Sequence, residues 1–297
     1  MVAIARPLPR QHTLPNWVRP WLRMKIYVGG SIVLVLILLG IVGPLIAPFN
    51  PNEQQLRESL RMPQWLAGSH FLGTDNLGRD ILSRLLFGAR VSLIIAFTVV
   101  IISGAVGVTL GAISGYFGGK VDFWIQKFVE VIWAFPALLL AIAILAYLGQ
   151  GLQNLILALV AQRWIQYCRV VRGESLSLRR REFVTAAEVV GAGHARIILR
   201  HIVPNIVPSA LVIGTFSMAT AIIAEASLSF LGLGVPPDVP TWGTMLGDGR
   251  NYISTAPWLT IFPGAAIFIV VLGINLLGDG LRDVLDPRRK KAAADLS

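Results

Sequence analysis

The run Val91-Ser-Leu-Ile-Ile-Ala-Phe-Thr-Val-Val-Ile-Ile-Ser-Gly-Ala-Val-Gly-Val-Thr-Leu-Gly-Ala-Ile-Ser-Gly115 contains no charged residue from end to end. A helix rises about 1.5 Å per residue, so about 20 such residues cross the roughly 30 Å apolar layer of a bilayer. Five more stretches reach that length and carry at most two charges each: Tyr27 to Ala47, Phe128 to Leu148, Leu152 to Val171, Val207 to Leu231 and Trp258 to Leu277. The reading is therefore an all-α, polytopic membrane protein with six transmembrane helices.

Composition agrees. Hydrophobic residues make up 55% of the chain and charged residues 14%, where soluble domains carry roughly a quarter charged. The net charge of +10 raises nucleic acid as a partner, but the basic residues gather beside apolar runs, as they do in cytoplasmic loops of membrane proteins. No nucleic acid is expected. Cys168 is the only cysteine, which excludes an internal disulfide and any cysteine-rich metal site.

Arg19, Arg23 and Lys25 precede the first span; Arg169, Arg172, Arg179, Arg180, Arg181, Arg196 and Arg200 lie between spans four and five; Arg288, Arg289, Lys290 and Lys291 end the chain. The positive-inside rule puts all three in the cytoplasm, which an even number of crossings requires. The first span lacks a small-x-small cleavage site and reads as an uncleaved anchor. The expected organisation is a cytoplasmic tail at 1–25, a transmembrane domain at 26–285 and a cytoplasmic tail at 286–297. Within that domain, an outer loop covers about 49–88 and an inner loop about 173–204.

Gly104, Gly107, Gly111 and Gly115 put a small-residue stripe on the second span, the pattern that lets two membrane helices approach closely. Pro136 and Pro263 fall inside spans three and six, where a missing backbone donor predicts kinks.

The inner loop contains Phe183-Val-Thr-Ala-Ala-Glu-Val-Val-Gly-Ala-Gly-His-Ala-Arg-Ile-Ile-Leu-Arg-His-Ile-Val-Pro-Asn205. It reads as two short helices joined by Gly191-Ala192-Gly193, with Gly191 free to take a positive φ and Pro204 ending the second helix. The spacing of Ala186-Ala187, three residues, Gly191, then twelve residues to Pro204 resembles the EAA loop of ABC importer permeases, with Thr185 where Glu is usual and His201 where an aliphatic residue is usual. Gly73-Thr-Asp-Asn-Leu-Gly-Arg-Asp80, Ala226-Ser-Leu-Ser-Phe-Leu-Gly-Leu-Gly234 and Gly278-Asp-Gly-Leu-Arg-Asp-Val-Leu-Asp-Pro287 are similar to the C-type permease of dipeptide, oligopeptide and nickel importers.

That resemblance implies a type I ABC importer permease in the bacterial inner (plasma) membrane, with both termini cytoplasmic. Its implied partners are a homologous B-type permease, two cytoplasmic ATPases and an extracytoplasmic solute-binding protein, and its implied cargo is di- or oligopeptides. Thr185, Ala186, Ala187, Glu188, Gly191, Ala192, Gly193 and Pro204 would then form the element that docks on the ATPases. No cofactor belongs to this chain on that view, because ATP and Mg²⁺ sit on the partners. The residues agree that the chain lacks a phosphate-binding loop: Gly119-Lys120 is followed by Val121, and Ser114 stands at the upstream glycine position.

Among single residues, Glu225 is an acid about 9 Å outward of the middle of span five, and a charge at bilayer depth costs about 2.5 to 3.5 kcal/mol on insertion scales. It either lines the path or pairs with the partner permease. Arg163 and Gln166 are further candidates for the path, although snorkelling to the headgroups also accounts for them. Asp75, Arg79 and Asp80 read as a salt-bridged turn rather than as catalytic carboxylates. His70, His194 and His201 are too scattered for a metal site. Asp279, Asp283 and Asp286 with Arg282 and Arg288 read as ion pairs at the end of the last helix. No catalytic, cofactor or metal residue is expected, so the chain is not read as an enzyme. A nickel or other small-solute permease, an ion-gradient-driven secondary transporter and a membrane-embedded hydrolase are the competing readings.

Overall fold

A computed structural model describes residues 18–65 and 69–285. Its long elements are α1 (Val18–Ile46), α2 (Ile81–Phe117), α3 (Gly119–Trp133), α4 (Ala137–Leu148), α5 (Leu152–Leu178), α6 (Glu182–Val189), α7 (His194–Ile197), α8 (Val203–Phe230), α9 (Trp242–Gly249) and α10 (Trp258–Leu285). Among the described residues, the only β pairing is an isolated bridge between Thr74 and Asp80.

Four stretches are long and apolar enough to cross a bilayer: Met24–Ile46, Ile81–Phe117, His194–Phe230 and Trp258–Leu285. The pair α3 and α4 qualifies as a fifth, but it is bent by 81°. The expected kink at Pro136 is thus a break. Phe135, placed before proline, is biased away from helical backbone, and Pro136 itself caps α4 with ψ 132°. Pro263 behaves differently. It lies five residues into α10, where only the first turn loses a bond, and the helix runs through. The remaining expected span falls on α5, whose 27 residues are long enough but include Gln162, Arg163, Gln166, Arg169, Arg172 and Glu174.

Helix limits also move. α2 begins at Ile81, well before Val91, because Asp80 caps it: the carboxylate accepts the Ser83 N–H at 2.8 Å. The first loop therefore ends at residue 80 rather than near 88. α5 continues to Leu178, into the expected inner loop. The tails at 1–17 and 286–297 lie outside the described residues, and so do Asp286 and Arg288. Asp283 ion-pairs across to Lys25 of α1 at 3.7 Å.

The glycine stripe does what its spacing predicts. A Cβ added at Gly111 would stand 2.6 Å from the Cys168 carbonyl oxygen, and one at Gly115 would stand 2.6 Å from that of Arg172. Gly107 is equally tight against Trp164, so three successive turns of α2 lie directly on the α5 backbone. Gly104 is looser, with the Tyr167 ring at 3.6 Å.

One apolar core joins α2, α5, α8, α9 and α10 through residues such as Ile95, Val99, Leu155, Ile222, Trp242 and Val270. Large apolar side chains on the outside, including Ile41, Leu45, Ile101 and Phe268, stay exposed, as lipid-facing surfaces require. At one end of the bundle the chain between α1 and α2 is knotted by charge. Arg79 donates to Asp75 at 2.6 Å and to Asp248, just C-terminal in sequence to Gly247 of α9, at 3.0 Å. His70 sits between Asp80 at 2.9 Å and Glu58 at 2.7 Å. Trp258 Nε1–H donates to the Thr74 carbonyl at 3.3 Å. The Gly-Thr-Asp turn is accordingly self-satisfied, as its sequence suggests. We call this the Asp75 end; the opposite end carries α6.

Candidate functional site

At the opposite end, α6 projects as a short knob. Val184 is fully buried against Ala112, Tyr116, Val171, Ile197 and Ile202, while Val189 and Val190 are 82% and 87% exposed. One face is therefore anchored and the other is free. The knob ends by a Schellman turn: Gly191 has φ +82°, its N–H donates to the Glu188 carbonyl at 3.0 Å, and the Ala192 N–H donates to the Ala187 carbonyl at 3.0 Å. Gly191 is the residue whose conformation reverses the chain. Gly193 has an ordinary extended backbone, φ −65° and ψ 152°, and starts α7.

Thr185, Ala186, Glu188, Gly191 and Gly193 are exposed together on this knob, and Ala187 and Ala192 are half-buried beneath it. Pro204 is not with them. α7 does not stop there: a wide turn over Ile198–Ile202 carries it into α8, so His194 to Phe230 is one helix. Pro204 lies about 15 Å along that helix from His194. Its missing donor is accommodated because the Val203 N–H reaches back to the Ile198 carbonyl and the Asn205 side-chain amide donates to the His201 carbonyl at 2.6 Å.

Two tethers fix the knob to the membrane helices. The Tyr116 hydroxyl, at the end of α2, lies 2.8 Å from His194 Nδ1 and 3.2 Å from Glu188 Oε1. The His201 ring packs 6.4 Å from that of Phe183. Nearby, Arg172 of α5 holds Asp122 of α3 through two bonds of 2.5 and 2.6 Å, and Ser114 of α2 donates to the same carboxylate. α6 is thereby joined to α2 through Tyr116, and α2 in turn to α3 and α5 through Asp122. The sequence reading had not singled out Tyr116, because its partners are 72 and 78 residues away.

A second feature lies at membrane depth. A cavity of about 670 Å³ opens between α4, α5 and α8, with Trp133 at its rim. Gln162, Arg163, Gln166 and Arg169 of α5 line it, together with Thr220 and Ser227 of α8. Arg163 is about 16 Å from the start of α5, a little before the middle of that helix. Its guanidinium donates to Thr220 Oγ1 at 2.6 Å and to the Thr220 carbonyl at 2.7 Å, so it ties α5 to α8 instead of running to headgroups. Arg169 stands 3.8 Å over the Trp133 ring. Gln162 and Arg169 were absent from the sequence candidates. Their signal was available in the polar face 162, 163, 166 and 169, which recurs at helical spacing.

Glu225 faces elsewhere. It is 1% exposed, accepts from Ser229 at 2.8 Å and lies 3.5 Å from Ser92 of α2, inside this chain rather than on the cavity wall. Among the described residues no His, Cys, Asp and Glu group has the makings of a metal site.

Comparison with known proteins identifies the family. The family of binding-protein-dependent transport system inner membrane components matches residues 107–291, and the N-terminal TM domain of oligopeptide transport permease C matches residues 26–63. The chain is 43% identical to the dipeptide transport system permease protein of Alkalihalophilus pseudofirmus, over 89% of this chain and 86% of that one. It is 39% identical to the oligopeptide transport system permease protein of Bacillus subtilis, over 89% and 86%. It is 40% identical to the glutathione transport system permease protein of Pectobacterium atrosepticum, over 92% and 90%. With one family model covering more than half of its length and relatives near 40% identity over about nine-tenths of it, this all-helical chain belongs to the family of binding-protein-dependent transport system inner membrane components.

Proposed function

We propose that this chain is one of two related permease subunits of an ATP-driven importer of di- and oligopeptides in the bacterial inner membrane. The carrying observation is the α6 knob: a glycine-terminated tip with Val189 and Val190 exposed, whose attachments among the described residues run to the helices behind it. Such a tip suits a groove on a cytoplasmic ATPase, and the tethers suit transmission of its motion. The family, and relatives named for dipeptides, oligopeptides and glutathione, support the peptide class.

On this reading both termini and α6 are cytoplasmic, and the Asp75 end faces a solute-binding protein. α5 is the sixth span. Its 27 residues reach about 40 Å, it lies along α2 through the glycine stripe, and its polar face is sheltered by the cavity and the partner permease. Arg163 and Gln166 belong to this subunit's side of the path, and Glu225 anchors α8 to α2. ATP and Mg²⁺ are held by the two ATPases, so this subunit performs no hydrolysis.

The test is uptake by proteoliposomes holding the permease pair and the ATPases, with the solute-binding protein supplied outside. Uptake of labelled dipeptide that requires ATP inside and survives a proton ionophore is expected. Uptake that ignores ATP and collapses with the proton gradient would overturn the reading.

A further inference from the structure

Resting on the reading of the cavity as part of the path, we infer that Arg169 receives the carboxylate of the passing substrate. Two guanidinium groups line the cavity, and their circumstances differ. Arg163 commits both terminal nitrogens to Thr220. Arg169 is exposed, and among the described residues no carboxylate lies within ion-pair distance of it. Its guanidinium rests over the Trp133 indole at 3.8 Å, a contact that fixes the group without occupying its N–H donors. What remains is a planar fork turned to a cleft, the geometry that takes a carboxylate through two parallel hydrogen bonds. Gln166, one turn away on the same wall, adds an amide.

The cleft also has the right scale. Its roughly 670 Å³ lies within the range that holds small-molecule ligands, and this wall is otherwise apolar apart from a few converging polar groups. Acidic side chains are absent from the lining. A free amino group therefore finds no counter-charge on this wall, whereas a terminal carboxylate does. The chemical class selected is an anion or zwitterion with an accessible carboxylate, as in a short peptide.

The experiment uses the complete complex of permeases, ATPases and binding protein in proteoliposomes, with alanyl-alanine, alanyl-glutamate and alanyl-lysine as probes. Arg169→Gln is expected to lower initial uptake of alanyl-alanine by about tenfold, the scale of one lost charge-assisted bond. Arg169→Lys should recover part of it. Arg169→Glu should penalise alanyl-glutamate more than alanyl-lysine, with subunit stoichiometry unchanged. Unchanged uptake, equal losses for all three peptides with Arg169→Glu, or loss of the partner permease from the purified complex would overturn the inference. The last outcome would assign Arg169 to an acidic side chain of the partner. Absence of ATP-dependent uptake by the unmodified complex would instead refute the importer reading itself.

Discussion

The Tyr116 hydroxyl lies 2.8 Å from Nδ1 of His194, which joins the last turn of α2 to the first residue after the α6 turn. Glu188 shares the same hydroxyl at 3.2 Å. On the importer reading proposed above, this contact is where a push on the knob would enter the bundle. Tyr116→Phe removes it and keeps the ring, which packs edge-on against His194 with centroids 5.7 Å apart. The expected result is a folded, assembled complex whose ATP hydrolysis continues while uptake per ATP falls severalfold, in line with loss of one or two bonds of about 1 kcal/mol. Parallel measurement of ATPase rate and uptake checks it; an unchanged ratio would remove Tyr116 from the transmission.

The glycine stripe predicts a graded series. Gly104→Ala adds a methyl at ordinary contact distance from Tyr167 and should be tolerated. Gly111→Ala drives a methyl to 2.6 Å from the Cys168 carbonyl oxygen and forces two backbones apart. Overpacking of this kind costs about 1–3 kcal/mol. Melting in detergent should fall clearly for Gly111→Ala and hardly at all for Gly104→Ala.

The charge knot at the Asp75 end predicts a loss of stability as well. Arg79 and Asp75 are 5% and 3% exposed and bonded at 2.6 Å. Arg79→Ala removes the nearer of two guanidinium partners of a buried carboxylate and leaves Arg84 Nε at 3.8 Å, so the loss should stay below the about 3–5 kcal/mol of a fully broken buried pair. Asp248→Asn, at the half-exposed member of the knot, should be far milder. Protease resistance of the loop at residues 49–80 distinguishes them.

Glu225 gives a contrast between charge and hydrogen bonding. Its contacts are hydroxyls, Ser229 at 2.8 Å and Ser92 at 3.5 Å. Glu225→Gln keeps an acceptor and should leave assembly and uptake near normal, whereas Glu225→Leu leaves buried hydroxyls unmet and should lower the yield of folded complex. Uptake abolished by Glu225→Gln in a fully assembled complex would return this residue to the path.

What could be read from the sequence was whatever short-range chemistry dictates. Four of the apolar spans followed from apolar length, the α2 and α5 contact from glycines at turn spacing, and the Gly191 reversal from the one residue type that takes φ +82° without strain. Two features escaped because they depend on partners distant in the chain. The Arg79 to Asp248 bond spans 169 residues, and the Tyr116 to His194 contact spans 78. Pro204 reads as a stop only until the Asn205 side chain and the wide turn before it supply an alternative to the missing donor. α5 is the instructive case at the site. Its polar face weakens it as an apolar span and, for the same reason, marks the cavity wall.

The central claim is that a separate nucleotide-hydrolysing subunit grips the α6 knob. Val190→Cys places a thiol at a position that is 87% exposed, in a chain whose native Cys168 is buried. Oxidative cross-linking of that variant in the assembled complex, with Ile41→Cys as the lipid-facing control, is the most direct test. The account predicts a disulfide-linked adduct between Val190→Cys and an ATPase carrying a cysteine in its docking groove, with yield changing when ATP is bound. A Val190→Cys thiol that joins no ATPase in a transport-competent complex, or that reacts only with reagents confined to the exterior, would contradict it.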